Sequence, residues 1–181
     1  MNLPNKLTIF RVILIPFFVV VMLWDKVPYG NYIAVGIFVV ACLTDFLDGQ
    51  IARRYNLITT FGKFMDPLAD KLLVSAALIC FLADPDSVMP VWVVIVIISR
   101  DLIINGIRLV AAEKGVTIAA DYFGKVKTTV QMLMSILLIL DFRMPAYVIV
   151  EYIFIYAAVI LTVISLIDCL YKNRDVLKDV N

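Results

Sequence analysis

The chain has 181 residues, of which 63% are hydrophobic and 17% charged, and a mean hydropathy of +0.99; this lies far above the soluble average, excludes a water-soluble globule and bounds the chain to one domain, residues 1–181. The net charge of +1 says little by itself, because where charges sit matters more than their sum. The sequence contains no histidine, which removes Ser–His hydrolysis, phosphohistidine chemistry and His-ligated metals together and leaves a carboxylate, a lysine or a tyrosine as any general base.

Apolar runs at 12–24, 32–43, 72–83, 88–98, 132–140 and 146–167 predict six helices. The first follows Lys6 and Arg11 without a small-residue cleavage site, so it reads as a retained helix rather than a signal peptide. Breaker-rich turns follow at 25–31, 84–87 and 141–145, with Pro28, Gly30, Pro85 and Pro145 among them. Longer polar connections are expected at 53–63 and 113–127. Most of the runs are too short for a hydrocarbon core of about 30 Å, which needs about 20 helical residues. They span only if the adjoining charged turns join them.

The polar halves of the first five helices then fall at one end, at 6–11, 45–53, 66–71, 100–108 and 125–131, and predict a water-filled cavity opening to the cytoplasm. All Lys and Arg residues except Lys26 and Arg143 lie on that side, which puts both termini in the cytoplasm. Cys42, Cys80 and Cys169 stand alone in apolar runs and imply neither a disulfide nor a zinc site. Glu151, in the outer half of the sixth helix, has no assigned role.

The stretch 45–71 reads D-x-x-D-G-x-x-A-R, eight residues, then G-x-x-x-D-x-x-x-D: Asp45, Asp48, Gly49, Ala52, Arg53, Gly62, Asp66 and Asp70. Asp45 with Asp48, and Asp66 with Asp70, share helix faces, so two helices would bring four carboxylates into a cage. One Asp at the centre of a spanning helix costs roughly 2.5–3.5 kcal/mol. Hard divalent cations would offset that cost, and two sharing the cage could clamp a phosphate or diphosphate. Gly49 and Ala52 would let a ligand approach the backbone, although the same spacing suits tight helix packing.

Every fixed position and both spacers match the signature of the CDP-alcohol phosphatidyltransferases, which this chain resembles. Further features spread the resemblance over nearly the whole chain and toward the branch acting on glycerol 3-phosphate: the opening Asn2-Leu3-Pro4-Asn5-Lys6-Leu7-Thr8 with Arg11 and Pro16, the segment from Ser99-Arg100-Asp101 to Arg108, and Gly124-Lys125-Val126-Lys127-Thr128.

The resemblance implies an all-α membrane enzyme of six spans that moves a phosphatidyl group from CDP-diacylglycerol to an alcohol, releasing CMP. It implies that Asp45, Asp48, Asp66 and Asp70 hold two divalent cations, Mg2+ or Mn2+, with Asp70 also the general base. It places CDP-diacylglycerol against Asp48, Gly49, Ala52, Arg53 and Gly62; Asn5 and Thr8 either add nucleotide contacts or cap the first helix.

Asp101, Asn105 and Arg108 form a polar stripe at i, i+4, i+7 beside Arg100, and Lys125 opens the fifth helix. Arg100, Arg108 and Lys125 are the expected grip on the acceptor's phosphate, while Lys127, Lys172, Arg174 and Lys178 are expected at anionic lipid headgroups. The other acceptors considered are inositol phosphate, serine and phosphatidylglycerol. A cation transporter is the remaining class, but it would set its carboxylates near mid-membrane rather than at one end. Expected partners are membrane lipids and a second copy of the chain in a homodimer, with no nucleic-acid polymer.

Overall fold

The computed structural model describes residues 3–24, 26–54, 60–113, 122–142 and 144–174, with side chains throughout except at 3, 4, 46, 48, 49, 51–54, 60–64, 66, 67, 70, 112 and 113. They form helices α1 (Leu3–Leu23), α2 (Gly30–Arg54), α3 (Thr60–Ala83), α4 (Val91–Glu113), α5 (Tyr122–Leu140) and α6 (Pro145–Lys172), with no strand among the described residues. Three helices carry segments long and apolar enough to cross a bilayer: Asn5–Leu23, Tyr122–Leu140 and Pro145–Lys172. Among the described residues α2 and α3 carry shorter apolar segments, Gly30–Asp45 and Lys71–Ala83. The protein is an all-α integral membrane protein, with Phe17, Leu72, Ile95, Leu102, Ile153 and Ile167 among its exposed apolar side chains.

Most helix boundaries reach beyond the apolar runs. The polar connections expected at 53–63 and 113–127 contract, since α2 continues to Arg54, α3 starts at Thr60 and α5 starts at Tyr122. Lys, Arg and Gln are good helix formers, so polar turns prolong a helix whose hydropathy has already fallen. Conversely, α4 begins only at Val91: Pro90, with no N–H to donate, sits where a helix start needs none, and its carbonyl accepts from Val93 N–H at 3.1 Å. Pro145 opens α6 in the same way.

The short connections are turns that satisfy themselves. Val27 N–H donates to Trp24 O and Gly30 N–H to Val27 O, both at 3.1 Å, and Tyr29 takes a left-handed φ of 57° between them. The Asp84 side chain accepts from Asp86 N–H at 3.0 Å. At the end of α5, Asp141 turns the chain with φ 39°, and Phe142 meets Tyr147 edge-on at 5.2 Å.

The helices sort into two compact units. The first comprises α1, α2, α3 and residues 135–141; the second comprises α4, the rest of α5, and α6. In the first, α1 packs on both α2 and α3, and α2 also on α3. Ala34, Phe38 and Ala41 recur at i, i+4, i+7 on α2 and are wholly buried, as are Phe18 of α1 and Ala69, Ala77 and Leu78 of α3. Small residues at such positions let backbones approach closely, which matters where lipid makes helix association depend on packing. Phe18 and Phe38 meet with ring centroids 6.0 Å apart. In the second unit α4 packs against α6, with Val93, Ile97 and Ile104 buried on one and Ile155 and Ala158 on the other.

Candidate functional site

The polar end of α1 is buried. Asn5, Thr8 and Arg11 recur every three residues on one face and are 8%, 0% and 0% exposed. A guanidinium in that position needs a partner. It has one in the first carboxylate of the motif: Arg11 Nη1 donates to Asp45 Oδ1 at 2.6 Å, with the two side chains 1% and 33% exposed. Asp45 stands in this place because it continues the buried face of α2 marked by Ala34, Phe38 and Ala41, one turn further on.

Arg11 lies seven residues before Phe18, and Asp45 seven after Phe38, so the ring contact and the ion pair belong to one antiparallel register about 10 Å apart along the helices. Among the predicted site residues, then, Asn5, Thr8 and Asp45 are drawn to one stretch of the α1–α2 pair.

The remaining motif residues, Asp48, Gly49, Ala52 and Arg53 on α2 and Gly62, Asp66 and Asp70 on α3, lie in these helices, but their side chains fall outside the described residues. On α3, positions 66, 70, 73 and 77 recur at helical spacing, and Leu73 and Ala77 are buried, at 2% and 0% exposure.

The second unit holds a different polar cluster. Lys127 Nζ donates to both oxygens of Asp101, at 2.8 and 2.9 Å, and Arg100 Nη1 donates to Asp101 Oδ1 at 3.0 Å. Arg100 Nη2 also donates to Ser165 Oγ on α6. Lys127 is wholly buried, with Asp101 at 6% and Arg100 at 7% exposure. A Cβ added at Gly124 would stand 3.7 Å from Arg100 Nη2, so α5 passes close against the guanidinium.

This cluster corrects the expectation for Lys127. It does not reach lipid headgroups; it is the buried cation that closes α5 onto α4. Of the three residues expected to hold the acceptor's phosphate, Arg100 is engaged on Asp101 and Ser165, Arg108 is half-buried, and Lys125 is exposed. Lys172 and Arg174 are exposed, the first bonded to Asp168 at 2.7 Å and the second 5.4 Å over the Tyr171 ring, while Lys178 lies outside the described residues.

Sequence reasoning left Arg11, Lys127 and Ser165 out of the site residues. A signal existed for Arg11, which shares a face with Asn5 and Thr8. For Ser165, nothing in a run of apolar residues marks which hydroxyl meets a guanidinium.

The CDP-alcohol phosphatidyltransferase family profile matches residues 1–164. The chain is 42% identical over 194 aligned residues to the CDP-diacylglycerol–glycerol-3-phosphate 3-phosphatidyltransferase of Bacillus subtilis, covering 99% of each chain. It is 41% identical to the Haemophilus influenzae protein of the same name, over 98% of this chain and 96% of that one. Against the Escherichia coli K12 protein of that name the identity is 44%, over 72% of each.

Proposed function

The chain belongs to the CDP-alcohol phosphatidyltransferase family, and on that premise we propose that it transfers the phosphatidyl group of CDP-diacylglycerol to sn-glycerol 3-phosphate, giving phosphatidylglycerophosphate and CMP. The acceptor is supported by the likeness, along almost the whole chain, to relatives bearing that name. The chemistry is supported by one observation above others: the first carboxylate of a complete family motif is held by a buried arginine, beside the buried Asn5 and Thr8.

Asp45, Asp48, Asp66 and Asp70 would hold two divalent cations, Mg2+ or Mn2+, since an all-carboxylate donor set fits a hard ion. When bound, these ions offset the charge of the diphosphate and stabilise phosphorus as it becomes more negative. Asn5, Thr8, Asp48, Gly49, Ala52, Arg53 and Gly62 take the cytidine diphosphate part of the donor, the small residues admitting it close to the backbone.

Asp70 accepts the proton of the acceptor hydroxyl as that oxygen bonds to the phosphatidyl phosphorus. The bond from that phosphorus to the bridging oxygen breaks, and CMP departs with the oxygen. Arg108 and Lys125 bind the acceptor's phosphate through charge-assisted hydrogen bonds. Arg100, held on Asp101 and Ser165, adds positive potential rather than a contact.

The protein works as one membrane domain over residues 1–181, with six spans, as a homodimer in the bacterial plasma membrane with both termini and the site on the cytoplasmic side. The side is supported by the confinement of Lys and Arg, Lys26 and Arg143 apart, to one set of helix ends.

Mass spectrometry of the lipid products from purified protein given CDP-diacylglycerol and an equal mixture of glycerol 3-phosphate, inositol phosphate and serine tests the assignment. The expected product is phosphatidylglycerophosphate, absent in chelator and restored by Mg2+ or Mn2+. A different lipid would overturn the acceptor, and full turnover in chelator would overturn the cation cage.

A further inference from the structure

We propose that Arg11 is a positioning residue for the metal site: its guanidinium holds the Asp45 carboxylate in the direction a cation needs. The inference rests on the reading of Asp45 as a metal ligand given above, and gives α1, which carries none of the motif, a part in holding the metal as well as the donor. Arg11 is wholly buried and donates to Asp45 Oδ1 at 2.6 Å, at the short end for a charge-assisted bond. Asp45 itself is one-third exposed, so packing leaves part of its carboxylate open while the bond to Arg11 restricts its rotamers.

The donor is rigid in turn, because the ring contact of Phe18 with Phe38 pins the α1–α2 register two turns away. Partners that orient a metal's ligands in this way typically change metal affinity or activity by about 10–100-fold when removed.

An opposing effect has to be weighed. A guanidinium beside a metal ligand also repels the cation, and removing it would by that term tighten binding. Water in the cavity expected at the polar helix ends would screen this repulsion, whereas it would do nothing to replace the lost orientation. Orientation therefore wins, and the expected sign is weaker binding.

The experiment uses the full chain purified in detergent and Mn2+ alone as the probe, bound ion being read from the loss of the free-ion electron paramagnetic resonance signal. Arg11→Gln keeps polarity and loses the charge and the fork; it should raise the Kd for Mn2+ by about 10–100-fold, with helical circular dichroism unchanged. Arg11→Lys, which supplies charge as a single point donor, should fall between Arg11→Gln and the parent. In turnover assays the Mg2+ concentration giving half-maximal rate should rise in the same order, while the KM for glycerol 3-phosphate stays put.

Mn2+ binding by Arg11→Gln as tight as the parent's, or tighter, would overturn the inference. Should Arg11→Gln not yield folded protein, Arg11→Lys decides, and a Kd within twofold of the parent's overturns it. A parent chain that binds no Mn2+ overturns the metal reading itself, and this inference with it.

Discussion

Breaking the buried cluster of α4, α5 and α6 should expose how much of the second unit depends on three charges. Lys127 is wholly buried and bonds both oxygens of Asp101, which also receives Arg100 at 3.0 Å. Removing one partner of a buried ion pair costs about 3–5 kcal/mol, most of it from the charge left behind. Lys127→Met leaves Asp101 with Arg100 still bonded, so its cost belongs near about 3 kcal/mol. Asp101→Asn leaves two cations facing a neutral amide and belongs near about 5 kcal/mol.

The double variant removes the pair together, leaving Arg100 without its carboxylate but still on Ser165, and should cost about 2 kcal/mol less than the sum of the singles, as expected for residues in direct contact. Unfolding by sodium dodecyl sulfate in mixed micelles, followed by circular dichroism, measures all four corners of that cycle. Single costs below about 0.5 kcal/mol, or additive costs within that margin, would refute the assignment of this cluster as the tie between the helices.

Asp70→Asn should lower turnover at least about a hundredfold, as expected for a lost general base, while donor affinity changes little; a parallel fall in donor affinity would make Asp70 chiefly a ligand. Arg108→Ala should raise the KM for glycerol 3-phosphate by about 2 kcal/mol, roughly 30-fold, and Lys125→Ala, being exposed, by about 1 kcal/mol; unchanged values in both would remove these residues from the acceptor site. In a chain with Cys42, Cys80 and Cys169 replaced, single cysteines at Lys26 and Ser87 should label from outside intact cells and one at Asn56 should not, and the opposite pattern would invert the membrane orientation.

The six helices were legible because their apolar middles exceed anything a loop carries, but hydropathy is blind to where a helix ends once it turns polar. Hence α2 and α5 run into turns that the composition marks as connections. Lys125 and Lys127 show the limit of periodicity at single residues. Two positions apart on a helix, they must face different ways, and that much follows from the chain. Which of them turns onto the buried carboxylate is decided by Asp101 on another helix: Lys127 is buried and Lys125 exposed. The Arg11–Asp45 pair was hidden for the same reason, since a separation of 34 residues leaves no local trace. The four aspartates stand out in the sequence through their spacing alone, because the metal ligation proposed for them would constrain residue type and interval together.

The same separation puts a clock on how the first unit is assembled. A chain growing at about 5–20 residues per second makes Asp45 about 2–7 s after Arg11, so α1 enters the bilayer with its arginine unmatched. Arg11 lies within about 12 Å of the start of α1, near enough for a long side chain to stay at headgroup level while it waits. When α2 arrives, one event moves the guanidinium out of water, seats Phe18 on Phe38 and delivers the first motif carboxylate. On the metal reading proposed above, assembly and chemistry would share an amino acid, and a lesion at Asp45 should be met by membrane quality control before its chemistry is ever tried.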